Sequence, residues 1–318
     1  MPDVRMDQSA GPDAQRAGLV AALEARRVDN AFHYISVRGA ARWRALASSH
    51  SPAHDPGDGL LAYDQATRAL IGVLPPGPVH VIGVACGDGS KERRLLGALA
   101  GSGLTDLTGT PVDVSVPLVT AAARAMAAVP GVVVTHAVVA DITVARDLSP
   151  LVAPRRAGAR LATLFGVLSS LGPDALGPAT SVLDPGDLLM VSANLLPPGA
   201  SARADVMAGY DNPATRHWLS ALLEDIGIHE AGGITFRWDD SPGGRAIVGE
   251  ITLRSAVTAR LGGVAVTLPP GEPIRLLQSY RHTPADLGSM VVGAGLRLVT
   301  VCTSPGGEEG VAVAVRPG

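Results

Sequence analysis

The sequence predicts a mixed α/β fold, with an open, mainly parallel sheet that ends in an antiparallel strand and a smaller α+β domain beside it. Three observations lead to this prediction. From about residue 79 to 195, apolar strand-like runs alternate with helical stretches. Near the C-terminus, two apolar runs flank a short turn rich in Gly and Glu, which is typical of a hairpin. Between residues 196 and 282 the alternation stops and strand-like runs dominate.

The parallel sheet is predicted from an ordered series of elements. Strands are expected at residues 79–85, 108–114, 132–139, 160–168 and 187–195. Helices are expected near 90–100, 117–128 and 173–183, the last beginning at Gly172-Pro173-Asp174. Strands that alternate with helices in this way form parallel pairs with crossover helices. The final hairpin, residues 296–302 and 311–315, then adds the antiparallel strand.

The second domain is predicted from two segments that depart from this alternation. In residues 196–282, a helix near 213–226 precedes strand candidates at 234–238, 247–257 and 264–268. Residues 20–58 also stand apart and end in a turn-rich stretch. We therefore expect a sheet domain of residues 59–195 and 283–318, a substrate domain of residues 20–58 and 196–282, and a flexible tail of residues 1–19. Ligands of open α/β sheets bind at the carboxyl edge of the sheet, which we expect the substrate domain to cover.

Composition limits the kind of partner. The 318 residues suffice for one large domain or two modest ones. A net charge of −3 without a basic run argues against nucleic acid. No apolar run spans a bilayer, and the first sixteen residues lack the apolar centre of a signal peptide. We therefore expect a small-molecule substrate, no membrane contact, and a monomer or homodimer.

The cysteines indicate a compartment. Cys86 and Cys302 are the only two, and both lie in apolar or glycine-rich strand-like contexts. Thiols in such positions are expected to be reduced, as they are in the cytoplasm. The sequence therefore predicts a cytoplasmic protein.

One lysine stands out among the basic residues. Of the 26 lysines and arginines, only Lys91 is a lysine, and it closes the glycine-rich stretch Gly83-Val-Ala-Cys-Gly87-Asp-Gly89-Ser-Lys91. The following residues are predicted to be helical, so Lys91 lies in the first turn, where a cation opposes the helix dipole. A bound anion would remove that conflict, because helix N-termini bind carboxylates and phosphates. Lys91 is therefore a candidate ligand for an anion.

Three successive strand ends carry groups that suit a nucleoside. Gly87 and Gly89 follow the first strand, Asp113 ends the second and Asp141 follows the third. In a parallel sheet these ends share one edge, where glycines let a ligand approach and Asp113 can accept both ribose hydroxyls. Asp141 is placed to accept an adenine amino group. With Lys91 on the methionine carboxylate, the ligand that fits is S-adenosyl-L-methionine (SAM), whose product is S-adenosyl-L-homocysteine (SAH).

Other nucleotide and metal sites fit less well. A phosphate-binding Walker loop needs Ser or Thr after its lysine, but Glu92 follows Lys91. The dinucleotide fingerprint is absent, because the glycines stand at 83, 87 and 89. His50 and His54 have metal-ligand spacing but lie in a loop rich in Pro and Gly, so we predict no metal site.

At these residues the chain resembles the histidine-specific methyltransferase family of ergothioneine biosynthesis, which also includes fungal tryptophan-derivative N-methyltransferases. The resemblance implies the class I methyltransferase (Rossmann-like) sheet, whose last strand is antiparallel, with a smaller α+β substrate domain. Besides the glycine loop and the two aspartate motifs, it rests on four segments: Phe32-His-Tyr34-Ile-Ser-Val-Arg-Gly39, Gly209-Tyr210-Asp-Asn212, Glu250-Ile251-Thr-Leu-Arg-Ser255, and Gly271-Glu-Pro-Ile-Arg275 through Ser279.

The resemblance also implies roles for individual residues. The implied cofactor-binding residues are Tyr34, Gly83, Gly87, Lys91, Asp113, Asp141 and Ile142. The implied substrate-binding residues are Ser170, Tyr210, Ile251, Leu277 and Ser279. For proton transfer, Tyr210 and His217 are the candidate catalytic residues.

Three of these positions depart from the family pattern. Ser170 replaces the asparagine that helps to hold the amino-acid group, Leu277 replaces the glutamate that binds imidazole, and Ile251 replaces a methionine. Leucine cannot make the charge-assisted bond of a carboxylate, so histidine is not expected as the substrate. Ile251 and Leu277 instead offer apolar surface, and we expect them to lie on either side of an indole ring.

The resulting hypothesis is a SAM-dependent methyltransferase of secondary metabolism that acts on a small aromatic, tryptophan- or indole-derived intermediate. The acceptor is indole C3 or an amine nitrogen, with a cyclic dipeptide among the candidate substrates. One alternative is an Nα-methyltransferase of a free amino acid. An alternative of another class is a non-catalytic binding partner that keeps the SAM-binding fold.

Overall fold

The computed structural model describes residues 3–50, 55, 57–154, 158–171, 175–199, 201–228, 232–240 and 245–318, without the side chain of His50. The histidine pair at 50 and 54 and the expected helix start at 172–174 therefore lie outside the described side chains. The chain divides into two compact units. Unit 1 comprises Met1–Asp7, Pro52–Pro197 and His282–Gly318, and unit 2 comprises Gln8–Ser51 and Pro198–Arg281.

The strands, in chain order, are β1 Val4–Met6, β2 Val79–Val84, β3 Leu107–Asp113, β4 Val132–Val134, β5 Ala137–Val139, β6 Ala159–Leu164, β7 Leu188–Asn194, β8 Ile234–Asp239, β9 Ala246–Thr252, β10 Val257–Leu261, β11 Val264–Leu268, β12 Pro273–Tyr280, β13 Arg297–Thr303 and β14 Glu309–Val315. The helices are α1 Pro12–Glu24, α2 Phe32–Ile35, α3 Val37–His50, α4 Gly59–Ile71, α5 Ser90–Gly101, α6 Val116–Ala127, α7 Gly177–Thr180, α8 Ala202–Tyr210, α9 Pro213–Asp225 and α10 Pro284–Gly293. A 3-10 turn spans Leu168–Ser170.

Unit 1 is built on one sheet with the strand order β1-β5-β3-β2-β6-β7-β14-β13, and β4 also pairs with β3. The pairs from β1 to β7 are parallel, whereas β14 is antiparallel to both β7 and β13. This confirms the predicted parallel sheet with a terminal antiparallel strand. This strand order agrees with the sheet that the family resemblance implies.

The central strands form because their side chains are apolar on both faces. Every residue of β2, β3 and β6 is buried, as expected where helices cover both sides of a parallel sheet. Two apolar clusters, one including Ile82 and Leu164 and the other Val81 and Leu161, fill the two faces. Alternation of these neighbouring residues between the clusters follows from the two-residue period of a strand.

Several elements of unit 1 differ from their predicted bounds. The strand expected at 132–139 is divided into β4 and β5, which pair with opposite ends of β3. The strand expected at 160–168 ends at Leu164, because Gly166 adopts a left-handed conformation with φ of 74° and a 3-10 turn follows. In the described part of the helix expected at 173–183, only Gly177–Thr180 is α-helical.

The flexible tail predicted for residues 1–19 is wrong for the described part of that segment. Residues of β1 pair in parallel with β5, because β1 adds to the otherwise open edge of the sheet. Helix α1 follows and buries Leu19, Ala22 and Leu23. These residues are spaced three and four apart, so they form one apolar face that packs in the core of unit 2.

Unit 2 contains a three-stranded antiparallel sheet, in the order β12-β9-β8, and the separate hairpin β10-β11. The strand expected at 247–257 ends at Thr252, and β10 starts only at Val257. The core of the unit joins Trp218 and Leu222 of α9 to Ile251 of β9 and Leu277 of β12. Within the described residues, no helix is long and apolar enough to cross a membrane.

Candidate active site

The three strand ends singled out in the sequence lie side by side at the carboxyl edge of the unit 1 sheet. The backbone N–H of Gly87 donates to Asp113 Oδ2 at 2.9 Å. The backbone N–H of Ala140, directly before Asp141, donates to the carbonyl oxygen of Asp113 at 3.0 Å. In the strand order, β2 lies between β3, which follows it in the chain, and β6. The edge therefore includes the point where the order of an open sheet reverses and where such sheets bind ligands.

The loop after β2 needs glycine for two reasons. Gly87 and Gly89 have positive φ angles of 57° and 74°, which glycine adopts without steric cost. A Cβ atom on Gly89 would also lie 2.6 Å from the Cα atom of Ala122 in α6. Ala85 shares the left-handed conformation, with φ of 50°, although it carries a Cβ atom. Strain of this kind is tolerated where the surrounding structure fixes the backbone, and it is frequent near functional sites.

Asp113 presents a buried carboxylate at this edge. Its second oxygen, Oδ1, accepts from the backbone N–H of Ser115 at 3.0 Å. Burial raises the pKa of Asp113 to about 6, although the N–H donors from Ser115 and Gly87 oppose that rise. The backbone N–H of Val114 is a third donor to this carboxyl group. The two carboxylate oxygens have about four lone pairs between them, so capacity for a further donor remains. Two adjacent hydroxyl groups of a ligand could donate their hydrogen bonds to this carboxylate.

Lys91 lies in the first turn of α5, as predicted, and next to an aromatic ring. Its Nζ atom is 5.3 Å from the centre of the Tyr63 ring, a distance suited to a cation–π contact. A Cβ atom on Gly166 would lie 3.0 Å from the same nitrogen. Lys91 thus points from α5 towards the loop after β6, across the reversal point of the sheet.

Sequence reasoning missed a buried polar network around Tyr63. The Tyr63 hydroxyl is 2.8 Å from Ser192 Oγ and 2.6 Å from Glu309 Oε1. Gly166 donates its N–H to the same Ser192 oxygen at 2.9 Å. Burial, followed by the charge of Glu309, raises the pKa of the Tyr63 hydroxyl well above its usual value. The only local signal was the charged Glu309 at the start of an otherwise apolar strand.

Glu92 is the second group that sequence reasoning missed. It follows Lys91 in α5 and is 1% exposed. Its Oε1 atom accepts from Thr163 Oγ1 at 3.0 Å. Burial raises the pKa of Glu92 to about 7. In the sequence, Glu92 served only as evidence against a Walker loop.

Asp141 and Ile142 are placed after β5. The Oδ1 atom of Asp141 accepts from the backbone N–H and the hydroxyl of Thr143, at 2.9 and 2.6 Å, which stabilises the turn there. Ile142 is buried in one of the unit 1 clusters.

Ser170 ends the 3-10 turn after β6 and is half-buried. Its backbone N–H donates to the carbonyl oxygen of Val167 at 2.8 Å.

The remaining predicted residues belong to unit 2. Tyr34 packs between Trp43 and Trp218, with ring centres 5.6 and 5.4 Å away. The Tyr210 hydroxyl is hydrogen-bonded to Ser279 Oγ at 2.8 Å, and the Arg281 guanidinium lies 5.3 Å from the centre of the Tyr210 ring. The implied cofactor contact of Tyr34 stays a prediction.

Three of the predicted substrate residues share one face of the unit 2 sheet. Opposite β9, Ser279 pairs with Ile247, Leu277 with Gly249, and Ile274 with Ile251. Directly paired residues of an antiparallel sheet point to the same side, so Ile251, Leu277 and Ser279 lie on one face. Ile251 and Leu277 are buried, with exposures of 1% and 3%. They form one apolar wall and not the two sides of a slot, which corrects the expectation that they enclose a ring.

His217 and Ile251 line one cavity of about 310 Å³ in unit 2. The cavity combines apolar and polar lining: Leu223, Ile228, Ile234 and Ile251, with Arg216, His217, Ser220 and Glu224. His217 itself is exposed on α9. Among the residues that the structure describes, no group of three or more His, Cys, Asp or Glu side chains is arranged to hold a metal ion.

The sheet order and the glycine-rich carboxyl end of β2 define the class as an α/β protein with a Rossmann-like sheet. The model of the histidine-specific, SAM-dependent methyltransferase family matches residues 64–316, and the chain belongs to that family. It is therefore an enzyme, and SAM is its methyl donor. This favours the catalytic hypothesis over a binding partner without activity.

Solved structures with a similar fold include three of low sequence identity. A possible exported protein from Bordetella parapertussis is 14% identical, with 98% of this chain and 99% of that chain covered and a TM-score of 0.48. A SAM-dependent methyltransferase from Methanosarcina mazei is 12% identical, with 78% and 97% covered and a TM-score of 0.43. The CurJ carbon methyltransferase is 12% identical, with 96% and 68% covered and a TM-score of 0.49. No curated protein matches the sequence.

Proposed function

We propose that the carboxyl edge of the unit 1 sheet holds SAM. The buried carboxylate of Asp113 accepts the ribose hydroxyls. Asp141 accepts the adenine amino group, and Lys91 holds the methionine carboxylate in the first turn of α5. The residues fit the group, because they offer a buried acceptor, glycines that leave room for a ligand, and a single cation.

SAM supplies an activated methyl group on a sulfonium, and the protein supplies alignment. Methyl transfer is an in-line displacement, so the acceptor must be held near the methyl carbon and stripped of water. The buried floor of the edge, which includes Asp113 and Glu92, excludes water from the cofactor side. No covalent intermediate with the protein is needed.

We propose that the substrate is a small aromatic compound, derived from tryptophan or indole, and that the acceptor is indole C3 or an amine nitrogen. The observation that carries this proposal is the apolar wall of Ile251 and Leu277 beside the hydrogen-bonded pair Tyr210–Ser279. Because Ile251 and Leu277 are already buried, the gain of very roughly 25 cal/mol per Å² comes from the apolar surface of the ring itself when it leaves water beside them. The two hydroxyls are placed to orient a polar group at the edge of the ring.

Histidine fits this wall poorly. At position 277, where the family resemblance implies an imidazole-binding glutamate, the side chain is a leucine buried in the core of unit 2. An imidazole N–H placed there would lose its hydrogen bond to water without gaining another, at a cost of roughly 1–3 kcal/mol. We therefore place the substrate outside the histidine class, with a blocked amino-acid group, as in a cyclic dipeptide, among the candidates.

A carbon acceptor must also lose a proton unless ring closure consumes the positive charge. We propose Tyr210 as the first candidate acceptor of that proton, because its hydroxyl contacts Ser279 beside the wall. His217 is the second, because it lines the same cavity as Ile251.

The buried thiol of Cys86 and the half-buried thiol of Cys302 are both free, which supports a reducing, cytoplasmic setting.

A panel of acceptors tests the substrate class. The purified enzyme is incubated with SAM and, separately, with histidine, tryptophan, tryptamine and a tryptophan-containing cyclic dipeptide, and SAH is quantified. We expect turnover of an indole compound and none of histidine. Turnover of free tryptophan at its α-amine would favour the amino-acid alternative, and preference for histidine would contradict the proposal.

A matched pair of variants tests the wall itself. Leu277→Met keeps the volume and the apolar character, and we expect it to retain most activity. Leu277→Glu places an unpaired carboxylate on the wall and should weaken binding of the indole substrate by roughly 1–3 kcal/mol. Thermal unfolding of both variants separates a folding defect from a binding defect. Equal KM values for the folded Leu277→Glu variant and the wild type would remove residue 277 from the site.

A further inference from the structure

A buried carboxylate lies across the reversal point of the unit 1 sheet without a full set of partners. Thr163 of β6 pairs directly with Gly83 of β2, and Glu92 Oε1 accepts from the Thr163 hydroxyl at 3.0 Å. The hydrogen bond thus joins the first turn of α5 to the strand on the other side of the reversal point. The other oxygen, Glu92 Oε2, is buried and has no hydrogen-bond partner among the described residues.

Gly83 makes room for this carboxylate. A Cβ atom on Gly83 would lie 3.1 Å from Glu92 Cγ and 3.5 Å from its carboxyl carbon. The same atom would lie 3.0 Å from Cys86 Cβ, so any larger residue at 83 would press on both Cys86 and Glu92. Gly83 of β2 has no side chain, and the carboxyl group of Glu92 from α5 occupies the space beside it.

The unpartnered oxygen requires an explanation, because a buried carboxylate without its hydrogen bonds is costly. Lys91 does not fill the need, since its ammonium lies over the Tyr63 ring and beside Gly166. Lys91 and Glu92 are thus neighbours that present a cation and an anion at one end of α5. An amino-acid zwitterion presents the complementary pair of charges.

We propose that Glu92 Oε2 receives the α-ammonium group of the methionine end of SAM, while Lys91 receives its carboxylate. This inference rests on the proposed cofactor site at the carboxyl edge of unit 1. Both contacts are charge-assisted hydrogen bonds, which are roughly twice as strong as neutral ones. Glu92 is then a cofactor-binding residue that the family resemblance does not imply.

The proposal predicts that cofactor binding releases a proton near neutral pH. Burial raises the pKa of Glu92 to about 7, against the opposing effects of its own backbone N–H, the Thr163 hydroxyl and the charge of Lys91, and the charge of Asp88 adds a smaller rise. The Cys86 thiol and the Tyr63 hydroxyl also interact with the Glu92 charge, but their own pKa values are raised, so both stay neutral near pH 7. An ammonium on Oε2 favours the ionised carboxylate, so part of the Glu92 population loses its proton on binding.

The first test is calorimetry with SAH and with the SAH analogue that lacks the α-amino group. For the wild type we expect the analogue to bind roughly 10- to 100-fold more weakly, as for a lost hydrogen bond to a charged group. In Glu92→Gln, which keeps the size and an acceptor for Thr163, the two ligands should differ by less than about threefold, so the double-mutant cycle shows coupling. Asp106→Asn, an exposed acid at the other end of β3, is the control and should keep the wild-type ratio.

A second measurement on the wild type needs no variant to fold. Titrations of SAH into the wild type at pH 7, in two buffers of different ionisation enthalpy, give the number of protons released on binding, which we expect to be a fraction of one. Equal affinity of the wild type for both ligands, or no proton release, would overturn the role of Glu92 while leaving the cofactor site intact. Failure of SAH to bind at all would instead reject the cofactor site, and the inference with it.

Discussion

The carboxylate of Asp113 accepts the backbone N–H of Gly87 at 2.9 Å, and this bond joins the end of β3 to the glycine loop after β2. The acceptor proposed for the ribose is therefore also a structural part of the loop that leaves room for the cofactor. Loss of the carboxylate removes both functions at once. The effect of a substitution at 113 should accordingly exceed that of a residue that only contacts the ligand.

For the affinity of SAH, the positive charge of Lys91 should matter more than the shape of its side chain. We expect Lys91→Gln to weaken SAH binding by roughly 10-fold or more, because the methionine carboxylate loses a charge-assisted hydrogen bond. Lys91→Arg should weaken it less, since the cation remains but the planar guanidinium fits the space beside Gly166 less well. Calorimetry with SAH checks both variants. Equal losses in Gln and Arg would indicate that shape, and not charge, determines binding here.

Two glycines that follow β2 provide a matched pair for stability. Gly89→Ala should destabilise unit 1 by more than roughly 1 kcal/mol, because the new Cβ atom meets Ala122 at 2.6 Å and φ is 74°. Gly97→Ala, in the same helix region and with nothing within 4 Å of the new atom, should stabilise it by roughly 0.5–1 kcal/mol. Chemical denaturation measures both changes. A Gly89→Ala variant as stable as Gly97→Ala would mean that the loop does not pack on α6 as described.

The raised pKa of Glu92 gives stability a defined dependence on pH. Because the pKa in the folded state is about 7 against an ordinary value of 4.5, the stabilising contribution is present at low pH and is lost as pH rises through about 7. The glutamine of Glu92→Gln cannot ionise. Between pH 4.5 and 8 the free energy of unfolding of this variant should therefore rise, relative to that of the wild type, by up to roughly 3 kcal/mol. His33, whose pKa is lowered to about 4 by burial, acts in the opposite sense but is common to both proteins.

Urea denaturation of the ligand-free wild type and Glu92→Gln across this pH range measures the difference. The exposed control Asp106→Asn should show none of this dependence. A constant difference between Glu92→Gln and the wild type from pH 4.5 to 8 would contradict the raised pKa.

The two candidates for proton removal should separate in their kinetics. Tyr210→Phe removes a hydroxyl that contacts Ser279 at 2.8 Å, and for a carbon acceptor we expect kcat to fall roughly 10²-fold or more. His217→Gln changes an exposed side chain at the edge of the cavity, and we expect a smaller fall in kcat if Tyr210 is the base. The kcat values of the two variants decide between them, because a larger fall in His217→Gln than in Tyr210→Phe would assign the base to the histidine.

The sequence predicted the parallel sheet well because its central strands are buried on both faces and are therefore mainly apolar, with His80 in β2 and Arg160 and Thr163 in β6 as the exceptions. The sequence did not predict β12 as a strand, although residues 271–279 contribute to the family resemblance. The alternation of β12 is broken by a bulge between Arg275 and Leu277, so no two-residue period marks the segment as a strand. The N-terminal residues were misjudged because β1 is short and exposed, and its pairing with β5 leaves no local pattern.

The proximity of the three strand ends was predictable in outline because each end carries its own signal in Gly87, Asp113 or Asp141. The network of Tyr63 and Glu309 was not, since the two residues are 246 positions apart in the chain. Glu92 was missed for a different reason. An acid in the first turn of a helix usually favours the helix dipole at the surface, and only the bond to Thr163 and the space left by Gly83 mark this one as buried.

The central claim is that the carboxyl edge of the unit 1 sheet holds SAM, with Asp113 as the ribose acceptor. The most direct measurement is calorimetric titration of SAH into the wild type and into Asp113→Ala, with Asp106→Asn as the control for loss of one exposed carboxylate. We predict binding to the wild type and the control and no measurable binding to a folded Asp113→Ala. Binding to Asp113→Ala with unchanged affinity, or no binding to the wild type, would contradict the account.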